Sequence, residues 1–219
     1  VAGAPAQAQN YVLVWSDEFN SINTSNWTFE VGGGGWGNNE LQSYTNRPQN
    51  VSHDGAGNLA ITARKETYTG PDGNRRNYTS ARIHTKGKFS FTYGRLEARI
   101  KTPTGQGLWP AFWALGDDVW DVGWPECGEI DVMEQLGHTS NQTHANIHGP
   151  TTTGGHWGLG RTFTAPSSLA DGFHVYGVTW GPDSFEWTLD GQVFSRYTKA
   201  DLPAGARWPF DHNFHLLLN

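Results

Sequence analysis

The stretch Trp124-Pro125-Glu126-Cys127-Gly128-Glu129-Ile130-Asp131-Val132-Met133-Glu134 decides how this chain reads. Acids alternate with Ile130 and Val132, which is the pattern of a strand. Side chains two apart on a strand share a face, so Glu129 and Asp131 point the same way. Glu134, three beyond Asp131, would face the opposite side of a regular strand. One extra residue, a β-bulge at Val132-Met133, returns it to the face of the other two. Three carboxylates on one face repel, so at least one should hold its proton above the usual range. A solvated, charged strand face is the plain alternative. Two Glu flanking a shorter Asp suit the hydrolysis of glycosidic bonds, with one as nucleophile and one as proton donor. Trp109, Trp113, Trp120 and Trp124 precede the acids closely, and flat rings stack on the apolar faces of sugars.

Composition agrees with a turn-rich β protein. The 219 residues include 28 Gly and 11 Trp, and only 16% are charged. One β-sandwich can be this long. The net charge of −6 argues against a nucleic-acid partner. No apolar run approaches the ~18 residues of a membrane span. The single Cys127 excludes an internal disulfide and reads as a buried thiol.

Val1 to Asn10 is small and polar and reads as a flexible N-terminal segment, similar to the end of a signal peptide. Residues 11–219 read as a single catalytic β-sandwich domain. Tyr11 to Phe19 is expected as a first strand, and the apolar Trp27 to Val31 runs into the flexible loop Gly32-Gly33-Gly34-Gly35. Leu59, Ile61 and Ala63 alternate as a half-buried strand after the turn at Asp54 to Asn58. Thr79 to Thr85 is another strand. Leu96, Ala98 and Ile100 oppose Arg95, Glu97 and Arg99 in a clean inside–outside alternation. Thr143 to His148 places His144, Asn146 and His148 on one face. Two His from one strand make a weak case for a metal, and a polar wall is the better reading. Phe173 to Trp180 and Phe185 to Leu189 form a hairpin, and Asp190-Gly191 turns into Val193 to Tyr197. His212 to Asn219 begins an apolar strand. No helix is expected. Many short strands at this spacing indicate a sandwich or barrel.

Glu-x-Asp-x-x-Glu after Trp-Pro-x-x-Gly, with Gly107-Leu-Trp-Pro-Ala-Phe-Trp113 upstream, resembles glycoside hydrolase family 16 in its laminarinase branch. The resemblance runs from about Val14 to Asn219. It implies an all-β jelly roll: a sandwich of two curved antiparallel sheets with a substrate cleft on the concave face. It implies an endo-acting, retaining hydrolase of β-1,3-glucan, with Glu129 as nucleophile, Glu134 as acid/base and Asp131 between them. Retention needs the two carboxyls ~5–5.5 Å apart. Positions 129 and 134 stand about 13 Å apart along a bulged strand by rise alone, a gap that inward-leaning Glu side chains narrow. Related β-glycanases such as a lichenase remain alternatives, as does a non-catalytic β-glucan-binding protein, although such relatives lose the acids.

The same resemblance marks Asn38, in Trp36-Gly37-Asn38-Asn39-Glu40, as a sugar contact or a loop brace. Arg82 is a donor to sugar hydroxyls or an ion-pair partner. Trp109, Trp113, Trp124 and His148 are cleft residues. No cofactor is implied for the chemistry. A structural Ca²⁺ is implied away from the cleft, matched loosely by Glu18 and Gly57, which otherwise read as a surface acid and a turn residue. Family members continue past the final Leu216-Leu217-Leu218-Asn219 through a Gly-rich segment and one more strand, so a C-terminal strand is expected to be missing. A secreted monomer acting on a polysaccharide completes the expectation.

Overall fold

Leu96, Ala98 and Ile100 turn inward from a strand whose Arg95, Glu97 and Arg99 face water, as the alternation predicts. The same logic repeats throughout the computed structural model, which describes residues 11–219; the expected flexible segment Val1–Asn10 lies outside them. In chain order the strands are β1 (Thr28–Glu30), β2 (Gln42–Tyr44), β3 (Val51–His53) and β4 (Leu59–Ile61). They continue with β5 (Arg64–Thr69), β6 (Arg75–Ser80), β7 (Arg82–His84) and β8 (Gly94–Ile100). Next come β9 (Ala111–Gly116), β10 (Glu129–Glu134), β11 (Gln142–Pro150) and β12 (His156–Thr164). The last four are β13 (His174–Gly181), β14 (Ser184–Leu189), β15 (Gln192–Thr198) and β16 (Phe214–Leu218).

Seven strands form one sheet in the order β1-β7-β16-β9-β10-β11-β12, and four form a second in the order β15-β14-β13-β8. Small sheets β2-β6-β5 and β3-β4 flank them, and β2 runs parallel to β6, an exception to the expected antiparallel pairing. The core lies between the two large sheets. Ile83, Ile130, Ile147 and Leu216 face Tyr176, Val178, Trp180, Phe185 and Trp187, all 3% exposed or less. Trp180 alone meets Phe91, Tyr93, Phe185 and Phe214 at centroid distances of 5.1–6.1 Å. Each such side chain contributes roughly 1.5–3 kcal/mol by leaving water. The β14–β15 turn is Asp190-Gly191 with φ of 49° and 77°, the two left-handed residues that suit a tight hairpin.

Three expectations need correction. Tyr11 to Phe19 forms no strand, because the Asp17 carboxylate accepts from the Phe19 N–H at 2.9 Å and bends the chain there. Thr79 to Thr85 is two strands in two sheets, broken at the fully buried Ala81. A single-turn helix, α1 (Val119–Val122), and a 3₁₀ turn at Lys199–Asp201 are present; each is too short to show a helical period. The apolar strand β16 is interior, bonded on one side to β7 and on the other to β9.

Candidate active site

The bulge in β10 sets the geometry. Against β9, Asp131 pairs with Trp113 and Met133 with Phe112, so Val132 is the extra residue. Against β11, Asp131 pairs with Asn146 and Glu134 with His144, so the shift appears on both sides. Val132 and Met133, adjacent in sequence, are both 1% exposed and point into the core. Glu134 is thereby returned to the face of Glu129 and Asp131.

Each outer acid is held by a tryptophan. Trp124 Nε1 donates to Glu129 Oε2 at 3.0 Å, and Trp109 Nε1 donates to Glu134 Oε1 at 2.9 Å. Both tryptophans remain nearly half exposed, with each carboxylate at the N–H edge of its ring. Asn146 Nδ2 donates to the other Glu134 oxygen at 2.7 Å. That reach depends on its neighbour across the ladder, Gly160, where a Cβ would fall 1.7 Å from Asn146 Oδ1. Gly158 does the same for His148, since a Cβ there would meet the ring at 2.8 Å.

Asp131 is the deepest of the acids, with a side chain 4% exposed against 19% for Glu129. Burial pushes the Glu129 carboxyl up to about 8, with the Asp131 and Glu134 charges adding and His148 and the Trp124 N–H opposing. Burial also raises Asp131 well above the usual carboxylate range, and the Glu134 charge adds to this. The pair therefore retains a proton in the neutral range. It belongs on Asp131, which is farther from water, while Glu129 has an indole N–H to stabilise its charge.

His148 Nε2 stands 3.2 Å from Asp131 Oδ2, and its Nδ1 lies 3.0 Å from His156 Nε2. His156 in turn packs on Trp124 with centroids 4.7 Å apart. Sequence reasoning missed His156. Its only signal is the β11–β12 ladder, which a single chain does not reveal. Of the other expected cleft residues, Trp113 donates to Asn219 Oδ1 at 2.8 Å and lies 5.4 Å from the Arg82 guanidinium. Arg82 is paired with Glu30 and stacks on Trp36 at 4.4 Å. Of its two readings, the ion pair is present, but with only 12% of the Arg side chain exposed rather than on the surface. Asn38 is exposed in a turn, its N–H donating to Gly35 O at 3.0 Å. Trp36, Arg82, His84, His215, Leu217 and Trp120 line a hollow of about 210 Å³ on the same sheet.

Glu18 is exposed, and Gly57 lies in an exposed turn whose Asp54 carboxylate already accepts from Ala56 N, Asn58 N and Asn58 Nδ2. Among the described residues, neither belongs to a group of three closely spaced ligand-type side chains.

Paired Glu side chains on one face of a jelly-roll sheet, each accepting from the indole N–H of a half-exposed tryptophan, define a glycoside hydrolase. The chain belongs to the family described as glycosyl hydrolases family 16, whose model matches residues 38–217. A β-glucanase of Rhodothermus marinus is 40% identical over 225 residues, spanning 97% of this chain and 76% of that protein. The laminarinase catalytic domain from Thermotoga maritima MSB8 superposes with a TM-score of 0.89 at 42% identity, covering 96% of this chain and 87% of that one. An endo-β-1,3-glucanase from Pyrococcus furiosus gives 0.88 at 44% identity, covering 94% and 82%.

Proposed function

We propose that the chain is an endo-acting hydrolase of β-1,3-glucan that works by double displacement with retention. The observation that carries this is the bulge, which sets Glu129 and Glu134 on one face, each accepting from the indole N–H of a half-exposed tryptophan. Glu129 attacks the anomeric carbon while Glu134 protonates the departing glycosidic oxygen. The resulting glycosyl ester leaves Glu129 uncharged. Glu134, now ionised, takes a proton from water, which attacks the anomeric carbon and releases Glu129. Asp131 acts through Glu129, holding the shared proton and so keeping the nucleophile ionised. Two carboxylates suffice for these steps, and family membership implies no catalytic cofactor. Glu18 and Gly57 take no part in them.

The β-1,3 preference is supported by the likeness to the laminarinase and endo-β-1,3-glucanase structures. We include an extracellular setting, because a polymeric glucan is too large to enter a cell, and a monomeric state, because one chain supplies every residue of the site described. Activity in cell-free culture fluid and a monomer-sized peak in size-exclusion chromatography check these two points.

The roles of the acids are tested with an activated aryl β-glycoside and added azide. In Glu134→Ala the leaving group departs unaided, Glu129 still forms the ester, and azide replaces water without a base. The product is then the β-azide. In Glu129→Ala azide attacks directly from the opposite face and gives the α-azide. NMR assigns the configuration. The reverse pairing exchanges the two roles, and inverted product from the unmutated enzyme removes the retaining mechanism.

A further inference from the structure

Glu129, Asp131 and His148 offer three ligand atoms, from two adjacent strands, all within 4.8 Å of one another. His148 Nε2 is 3.2 Å from Asp131 Oδ2 and 4.0 Å from Glu129 Oε1. Two ligand atoms each ~2.0–2.1 Å from a tetrahedral zinc ion stand about 3.3 Å apart. The His–Asp separation already matches, and rotation of the longer Glu129 side chain brings in the third atom.

A second observation points to a cation. Asp131 Oδ2 is buried and, although close to His148, accepts no aligned hydrogen bond. An unpaired buried carboxylate oxygen is unfavourable, and a metal ion would satisfy it. A third concerns the imidazole. When His148 Nδ1 donates to His156 Nε2 at 3.0 Å, Nε2 presents its lone pair to the two acids. Such a hydrogen bond behind a ligating histidine is the usual support of a metal site.

We propose that this cluster binds a divalent transition-metal ion of the zinc type, which inhibits the enzyme. One imidazole nitrogen and two carboxylates suit zinc, whereas Ca²⁺ and Mg²⁺ ask for six or more oxygens. The bound ion takes the Glu129 and Asp131 lone pairs, so no glycosyl ester forms while it is present. Inhibition rests on the reading of Glu129 as nucleophile; binding does not.

The test begins with calorimetric titration of Zn²⁺ into the intact chain without glucan. One ion binds per chain, and Co²⁺ in its place gives the visible absorption of a tetrahedral site. Glu129→Gln, Asp131→Asn and His148→Ala each weaken binding at least tenfold with unchanged circular dichroism, while Glu134→Gln binds as before. On the unmutated chain, a saturating β-1,3-gluco-oligosaccharide displaces Co²⁺, so the inference stays testable even where a variant fails to fold. No saturable binding, undiminished binding in the three variants, or Co²⁺ that the oligosaccharide leaves in place would overturn the site. Glucan cleavage without zinc binding removes this inference alone, and zinc binding without glucan cleavage removes the hydrolase reading alone.

Discussion

Burial pushes the Glu129 carboxyl from its ordinary 4.5 up to about 8. Between those values the folded chain binds more protons than the unfolded chain, so folding stability falls as pH rises through that window. Glu129→Gln should therefore raise the melting temperature, more at pH 8 than at pH 5. The gain should shrink at the lower pH, where full protonation of the Glu129–Asp131 pair removes the charge that the substitution deletes. Scanning calorimetry at the two pH values checks this, and an equal gain at both would place the repulsion elsewhere. The crowding of acids was legible from Glu-Ile-Asp-Val-Met-Glu alone. Which acid lies deepest was not, because burial depends on strands far away in the chain.

At the scale of elements, the bulge at Val132 was legible because the acids make sense only on one face, and β9 and β11 both register the shift. What the strand needs from its neighbours was not legible. Glycine weakens a strand interior, yet Gly158 and Gly160 in β12 clear the space into which His148 and Asn146 lean. Gly160→Ala should push Asn146 off Glu134 Oε2, since the new Cβ would overlap its amide oxygen. We expect kcat/KM on glucan to fall ~10–100-fold, the usual effect of misplacing a reacting group by about 1 Å. The melting temperature should change little, since β12 is an edge strand and residue 160 is exposed. Unchanged kinetics would show that Asn146 is dispensable to Glu134.

At the scale of the molecule, the sandwich was legible from alternation and turn spacing, but the contact that ties the second sheet to the chemistry was not. Trp187 lies on β14 in the four-stranded sheet and is 0% exposed. Its indole Nε1 donates to the Asp131 carbonyl at 2.9 Å, where the bulge disrupts the ladder of β10. A bulge leaves backbone groups unpaired, and a buried carbonyl without a donor is unfavourable by about 1–3 kcal/mol. The far sheet thus supplies the hydrogen bond that lets the catalytic strand keep its irregular register. Trp187→Phe retains an aromatic ring in the core and removes that N–H. The variant should lose roughly 2–3 kcal/mol of stability, from the orphaned carbonyl and the smaller ring together. Its kcat should fall about tenfold at a temperature where it is fully folded, because Asp131 and Glu134 lie on either side of the released carbonyl. Denaturant unfolding and glucan kinetics on one preparation separate the two effects. A loss of stability with kcat intact would mean that β10 holds its bulge without help from the second sheet.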